Sequence, residues 1–117
     1  MNALQDLLGS FAQRANAHTS LRSTLAGWSP DFYIQASDSG ECFQIRVVGG
    51  GIQDVLATRD EPGDEALVLR GCSAVLSQVF SGQRSPLAAY TDGQLEVYGN
   101  PKDQIKLDVI ALVLWGA

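Results

Sequence analysis

The sequence predicts an α+β domain built on a five-stranded, mostly antiparallel sheet. Three observations carry that expectation. Apolar residues near the N-terminus recur at helical spacing, two successive stretches from residue 31 alternate with period two before a third strand, and the last segment is apolar on every side. With 117 residues and no break in composition, the chain is expected to form one domain, residues 1–117. That length can bury about two-thirds of the surface an unfolded chain exposes. A content of 45% hydrophobic and 18% charged residues is too apolar for disorder.

Leu4, Leu7, Leu8, Phe11, Ala12 and Ala15 fall at i, i+3, i+4 and i+7, with Asn2, Gln5, Asp6, Gln13 and Arg14 off that stripe, so the chain begins with an amphipathic helix. Leu21 and Leu25 suit a second, shorter helical turn that Gly27 and Pro30 stop. From Asp31, Phe32, Ile34 and Ala36 alternate with polar or aromatic neighbours, and "SDSGE" supplies a turn. Phe43, Ile45 and Val47 repeat the pattern up to "GGG", and residues 52–58 read as a third strand. Three strands on short turns make an antiparallel meander.

After the polar turn "RDEPGDE", "ALVLRG" is a short strand. Ser73 is placed to cap a helix whose Val75, Leu76, Val79 and Phe80 share a face and which Gly82 closes. Ser85 and Pro86 open another short helix carrying Leu87, Ala88 and Tyr90. Residues 94–98 alternate as a fifth strand, and Asn100, Pro101 and Asp103 start a final helix. Its run from Val109 to Trp115 is apolar all round, yet far shorter than the ~20 residues that span a bilayer. Such a helix must be covered on more than one side, by protein, by lipid or by a bound apolar ligand.

A formal net charge of -5 and eight scattered Lys and Arg residues argue against a nucleic-acid partner and against purely electrostatic membrane binding. "MNALQDLLGSF" lacks the basic n-region of a secretory signal, so a cytoplasmic location is expected. There, Cys42 and Cys72 are expected to be small buried hydrophobes rather than a disulfide. With His18 as its lone histidine, the chain is expected to bind no metal through a histidine cluster; His18 itself suits the end of the first helix. "GGG" opens no helix and precedes no lysine, so it reads as a hairpin turn rather than a phosphate cradle. "GCSAV" lacks the second glycine of a nucleophile elbow. Asp60, Glu61, Asp64 and Glu65 lack the spacing of a calcium loop and read as a solvated turn.

The segment "ALVLRGCSAVLSQVFSGQRSPLAAYTDGQLEVYGNPKDQIKL" resembles the type-2 sterol carrier protein family, also called non-specific lipid-transfer proteins. The resemblance rests on Val79, Phe80, Gly82, Pro86, Ala89, Tyr90, Gly93, Leu95, Val97 and Gly99, and is most specific from Leu67 to Leu107. Gln94 replaces a usual lysine, Asn100 a common aspartate, and the closing Trp-Gly-Ala is no peroxisomal import signal. The resemblance implies helices packed over an apolar cavity that binds, and transfers, a fatty acid, acyl-CoA, sterol or isoprenoid without chemistry or cofactor of its own. Val79, Phe80, Leu87, Tyr90, Ile105, Val109, Leu112 and Val113 are the expected ligand-contacting residues.

Two alternatives stay open. As in relatives that work beside lipid-modifying enzymes, the chain is then an accessory module presenting a hydrophobic substrate to an enzyme partner. A small isomerase would instead need an Asp and a Tyr in one apolar pocket, drawn from Asp54, Asp92, Tyr33, Tyr90 and Tyr98. On the last helix, Ile110, Leu114 and Trp115 are expected to face outward, toward a second copy of the chain in a homodimer or toward a membrane in transient contact.

Overall fold

The sheet, in a computed structural model describing residues 3–115, runs β3-β2-β1-β4-β5. Asn2, Gly116 and Ala117, named above, lie outside the described residues. Strands β1 (Asp31–Ala36), β2 (Cys42–Val48) and β3 (Gly51–Thr58) form the expected antiparallel meander. β4 (Leu67–Gly71) returns beside β1 in a parallel ladder, and β5 (Leu95–Tyr98) pairs with β4 antiparallel. Helices α1 (Ala3–Ala17), α2 (Thr19–Thr24), α3 (Ser73–Phe80), α4 (Pro86–Thr91) and α5 (Pro101–Trp115) complete the α+β architecture. No helix among the described residues is long and apolar enough to cross a membrane.

Alternation decides which face of the sheet is buried. Phe32, Ile34, Ala36, Phe43, Ile45, Val47, Leu67, Leu69 and Leu95 are buried in one core with Leu4, Leu8 and Phe11 of α1 and Val75, Leu76, Val79 and Phe80 of α3. The intervening residues Arg46, Arg70, Glu96 and Tyr98 are exposed on the other face. α1 is also tied to the edge strand through hydrogen bonds. The Asn16 side-chain amide donates to the Ile52 carbonyl at 2.6 Å and accepts from its N–H at 2.8 Å, as a strand residue would.

The β2–β3 turn is made by Gly49 and Gly50 at φ 60° and 85°, the left-handed pair that a tight hairpin requires. Gly50 has a second reason to lack a side chain. Its N–H donates to the Trp28 carbonyl at 2.8 Å, and a Cβ there would lie 2.3 Å from the Leu25 carbonyl oxygen.

The start of α3 differs from expectation. Cys72, not Ser73, is the N-cap residue and offers no side-chain hydrogen bond. The missing acceptor comes from the β1–β2 turn, where Asp38 Oδ1 accepts from the Ser73 N–H at 2.8 Å and from its hydroxyl at 2.9 Å. These bonds hold the Asp38 carboxyl below its ordinary value of 3.8. A carboxylate with a depressed folded-state pKa stabilises the fold above its unfolded pKa, and that contribution disappears as pH falls through the folded value. Urea unfolding should therefore show Asp38→Ala to be less stable than wild type at neutral pH, with the gap closing below the ordinary carboxylate range. By contrast, Ser85 and Asn100 cap α4 and α5 as predicted. Ser85 Oγ accepts from Ala88 N–H at 3.3 Å, and Asn100 Oδ1 from Asp103 N–H at 2.9 Å.

Candidate functional site: an apolar cavity under the last helix

A cavity of about 360 Å³ lies between the inner face of the sheet and the helices. Phe32, Leu69, Leu95 and Val97 form its sheet side, Phe11 comes from α1, and Val79 and Phe80 come from α3. Pro86, Leu87 and Tyr90 of α4 and Gln104, Leu107, Asp108, Ile110, Ala111, Leu112 and Trp115 of α5 close the remaining sides. The deep residues Phe11, Phe32, Val79, Phe80, Leu95 and Ile110 are buried. Leu87, Tyr90 and Leu112 are 58, 55 and 61% exposed, so they form the rim of an open mouth.

One end is shut by aromatic rings. The Phe11 and Phe80 centroids are 5.1 Å apart with the rings edge-on, and Trp115 lies 5.8 Å from Phe11 and 6.1 Å from Phe80. Trp115 Nε1 donates to the Val79 carbonyl at 2.7 Å, and the Arg14 guanidinium sits 5.7 Å from the Trp115 ring. The opposite end of α5 is pinned to the end of α2 and the loop that follows it. Trp28 Nε1 donates to Asp103 Oδ1 at 2.8 Å, and Lys106 Nζ to the Thr24 carbonyl at 3.1 Å. The helix that roofs the cavity is thus anchored at both ends.

Of the eight residues expected at the site, Val79, Phe80, Leu87, Tyr90 and Leu112 meet at this cavity. Ile105, Val109 and Val113 do not line it: Ile105 is 61% exposed, and Val109 and Val113 pack on the core elsewhere. The physical reason is the rotation of α5. The helix presents Gln104, Asp108, Ala111 and Trp115 to the cavity, a row one residue, or about 100°, from the expected row. That rotation also corrects the outward face. Ile110 is buried and does not face outward, while Leu114 and Trp115 are half-buried and pack partly against the core.

Other lining residues carry a periodicity signal of their own. Phe11 sits on the apolar stripe of α1, and Phe32, Leu69, Leu95 and Val97 sit on the inward alternation of their strands. Among the candidates for an isomerase pair, only Tyr90 lines the cavity. Asp54 faces Arg46 in an exposed ion pair, Asp92 is bound by Arg84, and Tyr98 donates to Glu96. Tyr33 lies on the sheet face away from the helices, where burial first, and Asp31 next, push its phenol above the usual value. His18 sits between α1 and α2 with Nδ1 buried and without a hydrogen-bond partner among the described residues.

No family model and no curated protein matches the chain in sequence. Solved structures do match in three dimensions. A crystal structure of sterol carrier protein 2 superposes with a TM-score of 0.67 at 15% identity, covering 95% of each chain. The chain has the sterol carrier protein 2 fold. A UbiJ-SCP2 ubiquinone synthesis protein matches with a TM-score of 0.60 at 20% identity, over 93% of this chain and 90% of that one. A palmitated SCP2L2 from Aedes aegypti matches at 0.56 and 13%, over 88% and 93%. Within a sterol carrier protein 2 fold, the arrangement found here supplies a shaped apolar volume with an open rim.

Proposed function

We propose that the chain is a carrier domain that holds a lipid or other elongated apolar molecule in the cavity under α5 and performs no chemistry on it. The observation that supports this reading is the cavity itself. Its 360 Å³ falls within the range of about 300 to 1,000 Å³ typical of small-molecule sites. Its deep wall is aliphatic and aromatic, and its mouth is open to exchange. A lipid binds here by removing apolar surface from water at ~25 cal/mol per Å², less the cost of immobilising it. The palmitated neighbour supports a long alkyl-chain tail in the cavity, and the sterol carrier neighbour a polycyclic one. Leu87, Tyr90 and Leu112 on the rim would meet a membrane during transfer, and contact with a second copy would fall to the exposed Ile105 and Leu112.

Native mass spectrometry of the purified protein should show a lipid adduct that solvent extraction removes, and an added fluorescent lipid should then bind saturably. Absence of both adduct and saturable binding would overturn the carrier reading.

A second reading is favoured by the ubiquinone synthesis neighbour: the domain presents a hydrophobic substrate to a lipid-modifying enzyme. It predicts that affinity capture from the native host retrieves a specific lipid-modifying enzyme at constant stoichiometry. Free transfer between vesicles at the same rate with and without host lysate would count against it.

A further inference from the structure

Among the described residues the cavity wall carries a single charge, and it is negative. Asp108 is exposed at the mouth beside Leu112, one helical turn from Gln104 on the same row of α5. It makes no hydrogen bond or ion pair among the described residues. The nearby basic side chains are occupied elsewhere. Arg14 lies against Trp115 and reaches the Phe80 carbonyl, Arg84 holds Asp92 and Gln94, and Lys106 donates to the Thr24 carbonyl. None of them lines the cavity. Gln104 spends its Nε2 on the Gly99 carbonyl at 2.8 Å, and its Oε1 accepts nothing among the described residues.

An apolar tail seated among Phe11, Phe32 and Phe80 leaves its head at the rim, where Asp108 stands. A carboxylate or phosphate head placed there meets a like charge, no cation among the described lining residues, and the field of a chain with net charge -5. A hydroxyl or an ammonium meets an acceptor with unused lone pairs.

We propose that the site takes lipids with an uncharged or cationic hydrogen-bond-donating head, of the long-chain alcohol or amine class. It discriminates against free fatty acids and acyl-CoA. This inference rests on the carrier reading and names its ligand class.

The test uses three probes of equal chain length, hexadecanol, hexadecylamine and palmitate, each displacing one uncharged fluorescent probe at mildly alkaline pH. The readout is the ratio of palmitate to hexadecanol affinity in wild type, Asp108→Asn and Asp108→Lys, which cancels the probes' different solubilities. Asp108 is exposed and unbonded, so both variants should fold, and thermal melts check this. Removing the charge should raise the ratio roughly fivefold, the factor produced by two like charges a few ångströms apart in water-like surroundings. Asp108→Lys should raise it further, and hexadecylamine should lose affinity in the same order. If all three probes bind saturably and the ratio is the same in the three proteins, the head-group inference is wrong while the carrier reading stands. If no probe binds wild type, both fail.

Discussion

Ala111→Trp should abolish most ligand binding while leaving the domain folded. Ala111 lies on the cavity-facing row of α5 between Leu107 and Trp115, and it is partly exposed, so a larger side chain can grow into the open volume rather than into packed core. An indole there would displace on the order of 100 Å² of ligand contact. At ~25 cal/mol per Å² that is about 2.5 kcal/mol, or roughly seventyfold in affinity. The helix itself should tolerate the change, since tryptophan costs only a few tenths of a kcal/mol relative to alanine in propensity. Titration with a fluorescent lipid, paired with a urea melt, separates the two effects. Unchanged affinity in a folded variant would mean that the ligand sits elsewhere.

The largest loss of stability is expected from Gly50→Ala. Two costs coincide at this residue: a left-handed backbone at φ 85°, and a Cβ that would sit 2.3 Å from a main-chain oxygen of Leu25. The first costs about 1–2 kcal/mol. The second cannot be relieved by a side-chain rotation, and displacing packed backbone adds about 1–3 kcal/mol. Together they approach a large share of the 5–15 kcal/mol that a typical domain has. Gly49→Ala is the internal comparison, because its φ is 60° but a Cβ there meets nothing within 4 Å. It should lose only the backbone part. If the two variants unfold at the same urea concentration, the contact with Leu25 is not a constraint.

The parts of this architecture that were legible in the sequence are those written in a clear period. The meander can be read because Phe32, Ile34 and Ala36, then Phe43, Ile45 and Val47, alternate strictly between two turns, and each has a polar or exposed partner to mark the other face. The caps at Ser85 and Asn100 are legible because their partners are local. The cap of α3 is not, since Asp38 lies 35 residues away from Ser73 and only the parallel β1–β4 ladder brings them together. The rotation of α5 was unreadable for a different reason. Residues 109–115 are apolar on every side, so a sequence pattern gives this helix no preferred face, and packing alone sets its phase. Two anchors settle it, Trp28 on Asp103 and Trp115 on the Val79 carbonyl. Neither has a sequence signature. Asp108 fell out of the expected site because the row was placed one residue away, on Ile105 and Val109.

The β1–β4 ladder bears on the order of assembly as well. The meander is closed by neighbouring turns, whereas β1 and β4 join segments whose paired residues, such as Phe32 and Leu67, are 35 positions apart. Local pairings carry little loop-closure cost and distant ones more. The cavity draws Phe32 from one side of that ladder and Leu69, Leu95 and all of α3 to α5 from the other, so no half of the chain encloses it. An occupant has nothing to grip until the two halves have met. Bound ligand therefore acts on the completed molecule alone, and its removal should be felt as a faster escape from the native state, with the rate of reaching that state unchanged.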